Sequence, residues 1–563
     1  MRITEKILKN ILVDSRLLSQ KNFALAKKIS REKKEPLQEV ILDKRFIADE
    51  ELGQLIADYI KFPFVNLKKT KINRETLAIL PESVAKRQKI IIFDETKDKI
   101  KAAFNQPENL EIKEFLERKT GKKVTPYYAT KRDVAESLKY YRKGLKEELE
   151  EVVRKSLQEF GKAPKKPTEE HLPIIKAVDL ILSYGYDNRA SDIHVEPYAS
   201  STVLRYRIDG VLHDVLTLPK FLHDFLISRI KILSELRTDI HDTAQDGHFS
   251  FQASVEKVDV RVSIVPVEKG EKAVLRLLSE RARRFELKDL GLELNELEII
   301  DRNIKRPWGM ALISGPTGSG KTTTLYSILK ILNVRKVNIC TIEDPIEYDI
   351  EGINQIQANP KKGLTFSKGL RAIIRQDPDI IMVGEIRDTE TAALAVNASM
   401  TGHLVLSTFH ATDSFTTLPR LLDMDVEPFL LTTSLNLIIA QRLVRKICPK
   451  CIESYEISFS KFSQLLGKDL AARFSRTKKN KIRLFRGKGC LLCQQTGYFG
   501  RTGIFEVLEI KDPIKNLIMK RANASQIKSK AKKLGMRTMI EDGVNKIERG
   551  MITLEEVLRA TSE

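Results

Sequence analysis

Cysteine and tryptophan are scarce in this sequence: five and one among 563 residues, with aromatics at 7%. Five thiols cannot staple a chain of this length, which excludes a disulfide-framed secreted scaffold. Long apolar runs are missing as well. None approaches the ~18 uninterrupted apolar residues of a membrane helix, and the best, at 430–440, carries Thr, Ser and Asn. The opening MRITEKILKN has one basic turn and no apolar core behind it, so no secretory leader is expected and a cytosolic protein is. Nor is there a dense block of one charge. The net charge of +21 is spread among interspersed acids. That balance suits nucleic acid, the anionic inner face of a membrane, or a lysine-rich surface without a single partner.

What is present is ample material for several cores, 42% apolar and 31% charged. At roughly 100–200 residues per domain, three or four domains are expected. Residues 1–142 read as a small α/β module with a weak internal repeat. LVDSRLL at 12–18 aligns with ILDKRFI at 41–47, 29 residues on, and a helical pattern follows each copy. A charged run at 143–160 and GKAPKKP at 161–167 make 143–170 a helix and linker, since Pro, Gly and Lys in close succession cannot pack a core. A second α/β module spans 171–288. It has strand-like alternation at 192–196, 203–208 and 258–265, a helix near 221–236, and Asp209-Gly210 as a hairpin turn. From 289 to 563, strands expected at 310–314, 336–342, 380–383 and 404–408 alternate with helical stretches, the pattern of a parallel sheet flanked by helices. The fold class is therefore α/β, in several domains.

One stretch carries chemistry directly. Gly315, Pro316, Thr317, Gly318, Ser319, Gly320, Lys321 and Thr322 fit G-x-x-x-x-G-K-[ST] in full, between an apolar strand and a helix opened by Lys321, Thr322 and Thr323. Glycines let backbone N–H groups curl around phosphate oxygens, Lys321 sets a charge on the β/γ phosphates, and the Thr322 hydroxyl ligates Mg²⁺. ATP and Mg²⁺ are the expected ligands. A second apolar strand, 380–383, runs into Gly384 and Glu385. The aspartate usual at such a strand end is absent, so Glu385 is assigned to the hydrolytic water as general base or water-positioner. Gly384 cannot hold the metal, and Glu343, ending the neighbouring strand, is the candidate for Mg²⁺ or its water shell. His403 and His410 bracket a third strand, and either could sense the γ-phosphate by donating a hydrogen bond.

The cysteines are unevenly placed. Cys340 stands alone, whereas Cys448/Cys451 and Cys490/Cys493 form two C-x₂-C pairs. Four thiolates with no open position suit a closed, tetrahedral, structural Zn²⁺ site, placing a zinc subdomain at about 445–505.

These motifs together resemble the secretion-ATPase superfamily, in particular the type II secretion and type IV pilus assembly ATPases, over roughly 171–563. The run 343–348, EDPIEY, is similar to the family's Asp box. RQDPD at 375–379 through GEIRD at 384–388 is similar to its glycine-bearing Walker B, and 403–410 to its His box. SDIHVEP at 191–197, RYRIDG at 205–210 and QDG at 245–247 match further family signatures. The resemblance implies a RecA-like P-loop core, a PAS-like second domain, and a cytoplasmic homohexamer associated peripherally with the inner membrane. ATP would lie between the second and third modules, with Arg261 and Arg276 of the second module matching the family's phosphate-reaching arginines. The work of hydrolysis would pass to an inner-membrane platform protein. Asp192, His194 and Glu196 share one strand face, and a hydrogen-bonding role is expected of them rather than a metal.

Retraction motors of the pilus system resemble this core but lack both the cysteine pairs and a long N-terminal module. The resemblance is therefore to assembly or export motors, with pilus assembly first and type II secretion as the alternative. The N-terminal repeat resembles the family's amino-terminal domain, which in some members binds cyclic di-GMP through a glycine-bearing motif. Here 9–12 and 38–41 lack that motif's glycine and arginine, which argues against second-messenger binding and for docking to a membrane-associated adaptor. A RecA-like nucleic-acid motor is the alternative of a different class. The net charge suits it, but the resemblance gives no reason to expect nucleic acid.

Overall fold

The computed structural model describes residues 5–561, apart from 15–16, 34–35, 44–45, 68, 71, 74–75, 78, 81–83, 86–87, 109, 139–148, 150, 152–171, 254–255, 280–284, 473–480 and 491. The chain divides into two compact units, Met1–Arg154 and Lys155–Glu563. The charged run and linker expected across 143–170 lie outside the described residues, except Leu149 and Glu151.

In the first unit three strands, β1 (Ile90–Glu95), β2 (Lys99–Phe104) and β3 (Lys123–Tyr128), form a sheet in that order, antiparallel then parallel. Its strands alternate buried side chains to two faces. Ile90, Ile92 and Ile100 pack one way with Leu116, while Ile91 and Phe93 pack the other way with Leu67 and Val134. The helices Gln20–Lys33, Leu37–Asp43 and Asp49–Ile60 enclose a separate core. The repeat is visible there. Leu12 and its counterpart Ile41 are fully buried in that core, as are Leu18 and Ile47 nearly so. Both copies thus end a short helix and turn the chain into a longer one.

The second unit begins with helix Leu172–Asp187 and a six-stranded antiparallel sheet. Its strands are β4 (Ala190–Pro197), β5 (Ser201–Ile208), β6 (Val211–Pro219), β7 (Gln245–Gln252), β8 (Lys257–Val267) and β9 (Gly270–Leu278), in the order β6-β5-β4-β9-β8-β7. Asp209 and Gly210, both at positive φ (49° and 89°), make the two-residue turn joining β5 to β6. The inward side chains, such as Ile193, Leu204, Tyr206, Val260 and Leu275, are buried. The outward face carries charged side chains such as Asp192, Arg205, Arg207, Arg261 and Arg276, with Val203, Val265 and Val274 among them.

The rest is built on a seven-stranded sheet and a ribbon. The strands are β10 (Gly309–Ser314), β11 (Ile339–Glu343), β12 (Asn354–Gln357), β13 (Ile380–Val383), β14 (Leu404–Phe409), β15 (Leu435–Ile447), β16 (Ile452–Ser458), β17 (Lys481–Gly487) and β18 (Tyr498–Glu509). The sheet order is β12-β11-β13-β14-β10-β15-β18, all parallel except β18, which returns antiparallel along β15. β16 and β17 pair with each other as the ribbon. Strands β10, β11, β13 and β14 are buried along their whole length. That is why they read as continuous apolar runs: helices cover both sides. Leu312, Ile342, Ile381 and Val405 face one core, and Ile313, Met382 and Leu406 the other. The apolar run at 430–440 divides between helix Pro428–Ser434 and the first half of β15.

Candidate nucleotide site and cysteine clamp

Strand β10 delivers the loop 315–320, and helix Lys321–Leu332 starts with Gly320 as its N-cap. Backbone N–H groups of a helix's first turn lack intrahelical partners, so this end is ready for an anion. Gly315 (φ 153°) has no room for a side chain: a Cβ there would lie 2.5 Å from Ser319 Oγ and 2.7 Å from the Gln441 carbonyl oxygen. Lys321 Nζ donates to the carbonyls of Gly315 (2.8 Å) and Pro316 (3.1 Å), holding the loop curled around the ammonium. Burial pulls that ammonium below the ordinary lysine range. The Glu385 carboxylate opposes the pull and Arg442 adds to it. Ser319 Oγ is buried without a hydrogen-bond partner among the described residues, a polar atom inside the loop that a phosphate oxygen would satisfy. Thr322 and Thr323 occupy the helix's first turn, both half-buried.

Gln441, on β15, was not foreseen from the sequence. Its Nε2 donates to the Ser319 carbonyl (2.8 Å) and its Oε1 accepts from Thr324 Oγ1 (2.7 Å), tying loop, helix and neighbouring strand together. No local pattern marks it, because its partners are more than 110 positions away.

Glu385 follows β13, beside the loop. Its carboxylate is paired with Arg387 and lies 3.2 Å from His410 Nε2. The segment is held from β14: Ser407 Oγ donates to the Val383 carbonyl and Thr408 Oγ1 to that of Gly384, each at 2.7 Å. Gly384 is required by close approach, since a Cβ there would meet Glu343 Cα and the Ile342 carbonyl oxygen at 3.3 Å.

Glu343 ends β11, buried, with a carboxylate already engaged. Tyr326 OH donates to Oε2, while Thr341 Oγ1 (2.6 Å) and Gln355 Nε2 (3.1 Å) donate to Oε1. Tyr326 belongs to the helix that follows the phosphate loop. Burial, and then the Glu343 carboxylate, push its phenol far above the ordinary tyrosine range, so it stays a donor. Glu343 thus locks that helix to β11.

Arg261 of β8 reaches across to the loop after β11. It donates to the Ile346 carbonyl and to Glu347 Oε2, the latter at 3.3 Å. Arg276 of β9 lies directly opposite Arg261 in the ladder and pairs through Nε with Asp192 Oδ1 at 2.9 Å. Glu196 pairs with Lys272 (2.9 Å) and Arg205 (3.4 Å). Asp192 and Glu196 are therefore each engaged by basic side chains.

His403 must be corrected. It immediately precedes β14, whose far end, Phe409, lies beside Ser314 and the phosphate loop. Six strand residues at ~3.3 Å each separate the two ends. His403 Nδ1 instead contacts the Ala398 carbonyl (2.9 Å) and Thr401 Oγ1 (3.2 Å), closing the end of helix Thr389–Met400. His410, just past β14, is the histidine brought to the site.

The four paired cysteines converge where four strands begin or end: Cys448 after β15, Cys451 before β16, Cys490 after β17 and Cys493 before β18. Their sulfurs all lie within 4.8 Å of one another, and none is in a disulfide. Neighbouring pairs are 3.7–3.8 Å apart. Backbone N–H groups of Gly489, Cys490 and Gly497 point at the sulfurs of Cys451 and Cys493 at 3.2–3.3 Å, as thiolate ligands of a metal require. Burial pushes the Cys451 thiol up to about 11. Burial works the same way on Cys493, but the N–H groups of Cys490 and Gly497, with the Cys490 and Cys451 thiols, together hold that thiol below its usual value. The donor set fits a closed Zn²⁺ site.

The family described as "Type II/IV secretion system protein" matches residues 167–559. The chain belongs to that family. Residues 60–148 match the MshEN domain. Among curated relatives, the type IV pilus assembly ATPase PilB of Myxococcus xanthus is 36% identical over 566 residues, 98% of each chain. The type II secretion system protein E of Pseudomonas aeruginosa is 45% identical over 395 residues, 70% of this chain and 77% of the relative. Among solved structures, the Legionella pneumophila ATPase DotB shares the fold at a TM-score of 0.50 and 22% identity, covering 70% of this chain and 96% of that one.

As a Type II/IV secretion system protein the chain is an ATP-hydrolysing enzyme of pilus-assembly and secretion machinery. Glu385 and His410 lie together beside its phosphate loop. The arginines that approach from the six-stranded sheet come from the same compact unit.

Proposed function

We propose that this chain is the assembly ATPase of a type IV pilus, working as a homohexamer against an inner-membrane platform protein. The observation that carries this reading is the extent of its likeness to the pilus assembly ATPase of Myxococcus xanthus, which spans the N-terminal unit as well as the catalytic one. A type II secretion motor is the second reading. It is favoured by the higher identity, 45%, over the shared 70% of the chain.

In this reading the loop 315–320 holds the phosphates, Lys321 balances their charge, and Thr322 would hold Mg²⁺, with Glu343 ordering the groups behind it. Bound Mg²⁺ would polarise the γ-phosphate. Glu385 orients and deprotonates the attacking water, and His410 and Arg387 fix its carboxylate. Arg261 and Arg276 approach as the two modules close, neutralising charge that develops only during transfer. Cys448, Cys451, Cys490 and Cys493 would hold a structural Zn²⁺. The N-terminal unit docks a membrane-associated adaptor. Association with the inner membrane is peripheral, in keeping with the finding that no described helix is long and apolar enough to cross a bilayer.

Deleting the gene in its host and complementing with wild type or Glu385→Gln tests the reading. Surface pili should vanish on deletion and return only with wild type. Loss of secreted proteins with pili intact would favour the secretion motor instead. ATPase activity stimulated by DNA or RNA would overturn both.

A further inference from the structure

The outward face of the six-stranded sheet carries a row of charge that runs across five strands. The pairing registers set Arg207 of β5 opposite Asp192 of β4, Asp192 opposite Arg276 of β9, Arg276 opposite Arg261 of β8, and Arg261 opposite His248 of β7. Directly opposed residues share a face, with Cβ atoms ~4.5–5.5 Å apart. One carboxylate therefore sits in a line of four basic side chains. The Arg261 end of that line already touches the loop after β11, through Ile346 and Glu347, so the row is directed at the nucleotide edge of the seven-stranded sheet.

The carboxylate differs from its neighbours in burial. The Asp192 side chain is 7% exposed, whereas that of Arg276 is 60% exposed. Asp192 is immobilised on both oxygens. Oδ2 accepts from Ser191 Oγ at 2.8 Å and lies 3.6 Å from Arg207 Nε, and Oδ1 binds Arg276 Nε at 2.9 Å. Arg207 spends Nη1 on the Gly210 carbonyl at 3.0 Å, turning toward the β5–β6 hairpin. Among the described residues Arg276 is anchored only through Nε. A guanidinium held by its Nε has its direction fixed while both terminal NH₂ groups remain for a planar, two-point contact with a phosphate.

We propose that Asp192 is a positioning residue for the hydrolysis reaction: it holds the Arg276 guanidinium by Nε so that the terminal nitrogens face the transferring phosphoryl group. This rests on the reading of Arg276 as a phosphate-reaching arginine. Without the anchor Arg276 is a long, exposed side chain that must lose its rotamer freedom at each turnover. With it, that cost is met in folding. The dependence on Asp192 should therefore fall on the chemical step and not on binding of ATP at the phosphate loop.

A double-mutant cycle on the full chain tests this, with steady-state ATPase kinetics and the affinity for a fluorescent ATP analogue measured on each variant. Arg276→Ala should lower kcat by about 10³-fold or more, the range of a lost transition-state arginine. Asp192→Asn should lower kcat about tenfold with analogue affinity within twofold of wild type, and Asp192→Glu should recover part of the loss. In the Arg276→Ala background, Asp192→Asn should cost nothing further. Fully multiplicative losses, or analogue affinity falling in step with kcat, would overturn the proposal. If Arg276→Ala lowers kcat and Asp192→Asn does not, the positioning role is wrong while the arginine's role stands. If Arg276→Ala is itself without effect, the reading of Arg276 fails and the proposal with it. Should Asp192→Asn not fold, Asp192→Glu carries the same cycle.

Discussion

His410 Nε2 lies 3.2 Å from Glu385 Oε2, while Arg387 pairs with the other oxygen, Oε1. A carboxylate between two cationic or donor groups is held in one orientation beside the phosphate loop. Glu385→Gln should bind ATP but turn it over about 10²–10⁴-fold more slowly, the span of a lost general base. His410→Ala should cost less, about tenfold, because Arg387 still holds one oxygen. Single-turnover kinetics with a binding measurement check both. Turnover retained by Glu385→Gln would move the base role to another carboxylate.

Gln441 makes two buried hydrogen bonds that set the curvature of the phosphate loop. Gln441→Ala leaves the Ser319 carbonyl and the Thr324 hydroxyl without those partners, at about 1–3 kcal/mol for unsatisfied groups. The thermal midpoint of the apo protein should fall by a few degrees, and ATP affinity should drop by roughly 5–100-fold as the loop loses its curvature. Calorimetric titration with a non-hydrolysable analogue reads this directly, and unchanged affinity would show that the loop holds its shape without β15.

Cys490→Ser removes one ligand of the clamp and should reduce bound zinc from one per chain to a small fraction, read by metal analysis of the purified protein. Hydrogen exchange should accelerate across 448–500 while the strands β10, β11 and β13 stay protected, because they belong to separate cores. Zinc absent from the wild type would refute the clamp.

Glu296 supplies a pH dependence. Burial, reinforced by Asp542, raises its carboxyl from the usual 4.5 to about 7. The folded state therefore holds a proton that the unfolded chain has released between pH 4.5 and 7, so this group's contribution is full below pH 4.5 and is lost as pH rises through 7. The difference is on the order of 3 kcal/mol at most. Urea melts at pH 5 and pH 7.5 should show that loss in wild type, and a smaller one in Glu296→Gln, which keeps an acceptor for the Glu293 N–H. Equal pH dependence in both would rule out Glu296 as the source.

Much of this was legible in advance, for physical reasons that differ by element. The phosphate loop is readable because its chemistry is local: glycines, a lysine and a threonine within eight residues. Asp209-Gly210 is readable because only such residues accept two consecutive positive φ values. The strands β10, β13 and β14 stand out as short apolar runs because both their faces are covered. By contrast, the start of β15 merges with helix Pro428–Ser434 in one apolar stretch, and periodicity cannot divide a fully buried helix from a fully buried strand. β7 does not stand out in the sequence because its inward positions, Gln245, Gly247, Phe249 and Phe251, are apolar only in the second half. Gln441, Tyr326 and the Asp192–Arg276 pair depend on sheet order and register, which no local window contains. His403 and His410 look equivalent in sequence. Only the direction of β14 separates them.

The cysteine clamp and the ribbon beyond it have one more implication. The excursion between Cys451 and Cys490 is closed twice, at its base by four converging thiols and along its length by seven paired residues from Ile452↔Gly487 to Ser458↔Lys481. Beyond those pairs, Phe462 and Ala471 are fully buried in one core with Ala440 and Val444 of β15 and Ile504 of β18. Closing a longer excursion costs only about 0.6 kcal/mol per doubling of its length, less than the ~1.5–3 kcal/mol that burying a side chain such as Phe462 contributes. The excursion is thus fastened to the catalytic sheet three ways, by thiols, by strand pairing and by apolar packing, so a change at Phe462 or Ala471 reaches β15 and β18 directly.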